Sequence, residues 1–91
     1  MLSLLFFSNE RYELLKIIYN NQTNVKNDSY ATLSQQEIAD IAHISKLKAN
    51  RLINELISEN YICYYNNKRG KYSLTQNGYK IIEIFESQYI V

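Results

Sequence analysis

Apolar side chains fall at helical intervals in four stretches of the chain and alternate in one. From Asn9 to Asn20, Leu14, Leu15, Ile17, Ile18 and Tyr19 form one broad face, with Arg11, Glu13 and Lys16 around the rest. That spacing predicts a helix over about 9–20, capped by Ser8 or Asn9, with Glu10 favourably placed in its first turn. Asn20 to Ser29 is amide-rich and lacks a period. Side chains of Asn and Asp compete for backbone hydrogen bonds, so this segment is expected to be a long loop. Tyr30-Ala31-Thr32-Leu33 is short and suited to a strand. Ser34 and Glu37 have the spacing of a capping box, and Ile38, Ile41 and Ala42 follow at helical intervals. The His43-Ile44 link ends that helix. Ser45 offers a second N-cap, and Ala49, Leu52, Ile53 and Leu56 make the next apolar stripe. Two helices joined by a tight turn are thus expected over 34–59, the second over 45–59.

Beyond Ser58 the period changes from helical to two. Asn60 is the best non-glycine residue in the chain for a left-handed C-cap. Tyr61 to Tyr65 puts Ile62 and Tyr64 on one face and Cys63 and Tyr65 on the other. Asn66 to Gly70 supplies a turn, and Lys71-Tyr72-Ser73-Leu74 returns, giving a hairpin over 61–74. Thr75 then caps a last helix over about 75–90, apolar around most of its girth through Ile81, Ile82, Ile84, Phe85, Tyr89 and Ile90. The sum is an α+β chain, mostly α, forming a single domain over 1–91. A two-stranded ribbon is marginal alone, so this one must lean on the helices and gains from a third strand near Ala31–Leu33.

Charge changes the picture by its distribution. The formal net charge is only +1. Yet between His43 and Asn54 there are three cations and no carboxylate, and Lys68, Arg69, Lys71 and Lys80 lie in a second acid-free run from Asn60 to Ile82. A near-neutral chain with one basic face suits local phosphate binding. Lys46, Lys48, Asn50, Arg51 and Asn54 occupy the outward positions of the second helix of the pair. Short helices, a tight turn and a cationic outer face are what a major-groove reader needs.

The same residues exclude other chemistries. One cysteine, Cys63, precludes an internal disulfide, and one histidine, His43, leaves no Cys/His metal set. No carboxylate pair, nucleophile–base set or glycine-rich phosphate loop is present, so neither an enzyme nor a cofactor is expected. No stretch approaches the length of a membrane span, and the apolar opening from Met1 to Phe7 has no cationic leader before it. A cytoplasmic protein is expected. Cys63 has no assured cationic neighbour to make it a redox sensor.

Four pieces in this order carry a resemblance: Leu33-Ser34-Gln35-Gln36-Glu37-Ile38-Ala39, Ile44-Ser45-Lys46, Arg51-Leu52-Ile53-Asn54-Glu55-Leu56 and Leu74-Thr75-Gln76-Asn77-Gly78. Together they resemble the winged helix-turn-helix transcription regulators of bacteria and archaea, over about Glu10 to Phe85. The last piece is similar to the Leu-Thr-x-x-Gly that follows the wing in MarR-like and PadR-like members. Two departures stand out: Asn60 replaces a glycine common before the first wing strand, and the wing is short. The resemblance implies a three-helix core, a β-hairpin wing and a C-terminal helix. It also implies a double-stranded DNA partner, with the helix over 45–59 in the major groove and residues 66–71 on the adjacent backbone or minor groove. By that implication Lys46, Leu47, Lys48, Asn50 and Arg51 face DNA, with Ser45 at the capped end of the same helix. Lys48 and Asn50 are the expected base readers, and Arg51 suits base or phosphate. Gln35 and Gln36 are placed for phosphate. Lys68, Arg69 and Lys71 ride the wing, with Arg69 the best suited to a minor groove.

The two ends of the chain hold more apolar residues than so small a body is expected to cover. Leu4, Leu5, Phe6 and Phe7, with Ile81, Ile84, Phe85 and Tyr89, predict a self-complementary patch and a homodimer. The competing assignment is a winged helix that serves protein–protein contact in a larger assembly.

Overall fold

Helix signals of the sequence become hydrogen bonds in the computed structural model, which describes Phe7, residues 9–67 and residues 70–87. The first helix, α1, is Asn9–Asn20. It is followed by strands β1 (Gln22–Val25) and β2 (Asp28–Thr32), then α2 (Gln35–Ala42) and α3 (Lys46–Ser58). Strand β3 (Ile62–Tyr64), a turn of 3₁₀ helix (Tyr65–Asn67), β4 (Lys71–Leu74) and α4 (Gln76–Ser87) complete the order.

The helix pair is fixed at every end. Ser34 Oγ accepts from the Glu37 N–H, and Glu37 Oε1 accepts from the Ser34 N–H, both at 3.0 Å. His43 ends α2 at φ 59°, and the Ile44 N–H closes back on the Ala39 carbonyl at 3.0 Å. Ser45 then caps α3 by accepting from the Lys48 N–H at 3.1 Å. After α3, Asn60 takes φ 64°, and the Tyr61 N–H reaches the Leu56 carbonyl at 2.9 Å. Both helices therefore end in the left-handed closure usual with glycine, here built on His and Asn, polar side chains that tolerate it.

The core is organised around α1. Its Leu14, Leu15 and Ile18 are buried, and it packs on α2, α3, α4 and β4. From α3 come Ala49, Leu52, Ile53 and Leu56, all buried as the stripe requires. In α2 the stripe is shifted. Ile38 and Ala39 are buried, whereas Ile41, expected inside, is 47% exposed. A helix of eight residues has two turns, and only its first contributes fully to the core.

The amide-rich segment is not a loop. Gln22 to Val25 pairs antiparallel with Asp28 to Ala31, from Gln22↔Ala31 to Val25↔Asp28, across the two-residue turn Lys26-Asn27. One four-stranded antiparallel sheet results, in the order β1-β2-β4-β3. Asn and Asp are poor strand formers, so the hairpin is held by what lies around it. Ser29 Oγ donates to Asn24 Oδ1, Tyr79 Oη donates to Gln22 Oε1 at 3.1 Å, and the Tyr30 and Tyr65 rings stack at 4.3 Å. Tyr65 Oη donates to Asp28 Oδ2 at 2.8 Å. That hydrogen bond, more than desolvation, raises the phenol above its usual pKa. Protonated phenol is the donor, so this tie holds at neutral pH and loosens only as strongly alkaline pH passes the raised value.

The apolar girth of α4 has an internal explanation. Ile81 and Ile82 are buried in the chain's own core, and Phe85 stacks on Tyr12 at 4.3 Å. Phe7 is buried too, edge-on to Tyr61 at 4.6 Å. Phe7 and Ile81 therefore do not belong to an exposed dimer patch. Phe85 is half-buried against α1, and Ile84 is half-buried on the same helix. Leu4, Leu5, Phe6 and Tyr89 lie outside the described residues. Among the described residues no helix is long and apolar enough to cross a membrane.

Candidate nucleic-acid interface

The face opposite the core stripe of α3 holds most of the residues singled out by the sequence. Ser45, Leu47, Lys48, Asn50 and Arg51 line one concave surface of about 590 Å³. Gln35, Lys46, Leu47 and Asn50 line a second of about 370 Å³. A third, of about 360 Å³, runs from α2 and α3 to the sheet and is lined by Ser34, Gln35, Lys46, Asn50, Tyr64, Gly70 and Tyr72. Asn50 belongs to all three, so they form one continuous surface. The start of α2, the first two turns of α3 and the root of the β3–β4 hairpin meet there.

Charge on this surface is partly balanced from within. Lys48 Nζ pairs with Glu10 at the start of α1. Arg51 Nη1 lies 3.5 Å from Glu55 Oε2, one turn on, and remains exposed. Glu55 is held from the other side by Arg11, whose Nε donates to Oε1 at 2.9 Å. Exposed pairs of this kind contribute about 0–1 kcal/mol, so a phosphate can take over Lys48 or Arg51 at little expense. The Glu55–Arg11 contact ties α3 to α1 and leaves Arg51 outermost.

Asn50 is less free than its outward position implied. Its Nδ2 donates to Gln35 Oε1 at 2.8 Å, and its Oδ1 accepts from Asn54 Nδ2 at 2.9 Å. Bidentate reading of adenine needs an amide's donor and acceptor together, and both of these are already engaged. The chain of amides Asn54–Asn50–Gln35 instead fixes Gln35 at the groove.

Two expected members stand apart. Gln36 is exposed but donates to Asp40 Oδ1 at 2.8 Å, along α2 and away from α3. Lys71 sits on the other face of the sheet. In β4 it is Tyr72 and Leu74 that face the helices, and Lys71 Nζ lies over the Tyr30 ring at 5.3 Å. Period two decides this, since Lys71 neighbours Tyr72 and must point the opposite way. Lys68 and Arg69 lie outside the described residues. Among the described residues no group of three or more His, Cys, Asp or Glu is arranged to hold a metal.

A helix pair at a tight turn, its second helix beside a β-hairpin and flanked by α1 and α4, is the winged helix-turn-helix fold. Solved structures bear this out. MepR of S. aureus in complex with DNA matches with a TM-score of 0.71 and 24% identity, over 90% of this chain and 64% of that one. A MepR point variant bound to an oligodeoxyribonucleotide matches with a TM-score of 0.75 and 24% identity, over 93% of this chain and 59% of that one. A CRP-family transcriptional regulator from Thermus thermophilus matches with a TM-score of 0.64 and 17% identity, over 87% of this chain and 42% of that one. The chain thus spans less than two thirds of each of these proteins. No protein-family model matches the sequence, and no curated protein matches it.

Proposed function

We propose that the chain is a sequence-specific double-stranded DNA-binding protein that regulates transcription. In this function α3 enters the major groove, and the hairpin turn over 66–71 meets the adjacent backbone or minor groove. One observation carries it: Gln35, Lys46, Lys48, Asn50 and Arg51 line a single continuous surface at the exposed start of α3. The DNA-bound MepR structures, alike in fold, support the same assignment. The test is selection of bound duplexes from a random pool. Enrichment of a defined site is expected, and a pool that stays random after repeated rounds contradicts the proposal.

Arg51 is exposed and its pair with Glu55 is long, at 3.5 Å, so its guanidinium can turn to base or phosphate. Arg51→Ala is expected to weaken binding to a selected site by about 1–3 kcal/mol, the range of a good base contact. A binding titration checks this, and unchanged affinity removes Arg51 from the interface.

The functional unit proposed is a homodimer joined through the chain ends, with two α3 helices about one DNA turn apart. Its support is the apolar sequence of the two chain ends, with Leu4, Leu5 and Phe6 in one and Tyr89 in the other, and the half-buried Ile84 on α4. Sedimentation at micromolar concentration is expected to give the mass of two chains, and the mass of one chain would overturn the dimer.

A further inference from the structure

Leu47 is 82% exposed, more than any other large hydrophobic side chain described. The core does not require it there, because α3 buries Ala49, Leu52, Ile53 and Leu56 on its other face. Helix propensity does not require it either, since Lys, Gln and Glu serve an exposed turn about as well as Leu. A single exposed leucine is ordinary on a protein surface. What distinguishes this one is its surroundings. It lines both concave surfaces at the start of α3, among Lys46, Lys48, Asn50 and Arg51.

An occupant of that surface must present anions at its rim and something apolar at its centre. An acyl chain or an apolar peptide would meet Leu47 but offer no anion to Lys46, Lys48 and Arg51, and covering their charges with apolar groups is penalised. A DNA major groove meets both demands. Its walls are phosphates, and thymine brings a C5-methyl group to its floor, where apolar side chains recognise it. We infer that Leu47 reads thymine, packing on C5-methyl groups in the major groove and favouring T·A over C·G at those positions. The inference rests on the DNA-binding function proposed above and adds the base class that α3 prefers.

The test removes only the methyl. Each thymine of a duplex selected with the full chain is replaced in turn by deoxyuridine, and affinity is measured for the natural chain, Leu47→Ala and Leu47→Met. For the natural chain, binding weakens about fourfold at one or two positions, the worth of one buried methyl-sized group. Leu47→Ala binds the thymine duplex more weakly and no longer distinguishes it from the deoxyuridine duplex at those positions. Leu47→Met keeps an apolar side chain and keeps the discrimination. Because Leu47 is outside the core, the unfolding midpoint of each variant stays that of the natural chain. Indifference of the natural chain to every deoxyuridine overturns the inference, and so does equal sensitivity of Leu47→Ala. Salt-dependent binding that ignores the methyl removes only this role of Leu47. Absence of any salt-dependent binding to duplex DNA removes the proposed function and the inference with it.

Discussion

Gly78→Ala is expected to lower the stability of the fold by about 2 kcal/mol, or roughly 8–16 °C in Tm for a domain of this size. A Cβ at position 78 would stand 2.3 Å from the Tyr61 carbonyl oxygen and 3.3 Å from Leu74 Cβ and Cγ. The first neighbour is backbone, and it is not free to move. The Tyr61 carbonyl also accepts the Thr75 N–H at 3.1 Å. Thr75 Oγ1 donates to the Asn60 carbonyl at 2.6 Å and accepts the Gly78 N–H at 3.1 Å. The end of α3 and the start of α4 are thus locked through one threonine and one missing side chain. Two effects oppose each other. Overpacking costs about 1–3 kcal/mol and is at its upper end against backbone, while exchange of Gly for Ala within a helix returns about 1 kcal/mol. The clash wins, so urea unfolding should show a lower midpoint at unchanged slope. A midpoint equal to or above that of the natural chain would mean that propensity decides, and that α4 does not approach Tyr61 this closely.

The second large effect is on binding. Affinity for duplex DNA is expected to fall roughly 40- to 500-fold between 50 and 200 mM salt for each chain bound, if three to five of its cations displace counterions. Lys46, Lys48 and Arg51 supply the lower figure. Lys68 and Arg69 raise it to the upper one, whereas Lys71, on the far face of the sheet, adds little. Lys48 and Arg51 exchange Glu10 and Glu55 for phosphates, which leaves the count of released counterions unchanged to first order. A binding isotherm repeated across that range measures the slope. A flat response would point to an apolar contact, as in the competing assignment of a protein–protein module.

Much of the helical frame was legible because each helix end carries its own local signal. The Ser34–Glu37 box, Ser45 as cap, Asn60 as left-handed closure and Thr75 before α4 each act within a few residues, so sequence spacing suffices to find them. The stripe of α3 was legible for the same reason. The β1–β2 hairpin was not, since Asn24, Asn27 and Asp28 argue for turns. What makes it a strand pair is distant, namely Tyr65, Tyr79 and pairing with β4. The apolar excess of the chain ends misled in part because α1 and the sheet both need cover. Phe7, Ile81 and Ile82 provide it, which sequence counting cannot distinguish from a surface patch. At the interface, position on α3 was readable but engagement was not. The amide chain through Asn50 and Gln35 joins residues 15 apart in sequence. The side of the sheet taken by Lys71 was implicit in its place beside Tyr72.

In the function proposed, the start of α3 and the hairpin root form the face that meets DNA. The amide spectrum of the full chain, isotope-labelled and titrated with a selected duplex, measures this most directly. Shifts are expected at Gln35, along residues 45–51 and at Gly70, with Tyr19, Glu83 and Ser87 unmoved. Shifts centred on Tyr19, Glu83 and Ser87, with residues 45–51 unchanged, would contradict it.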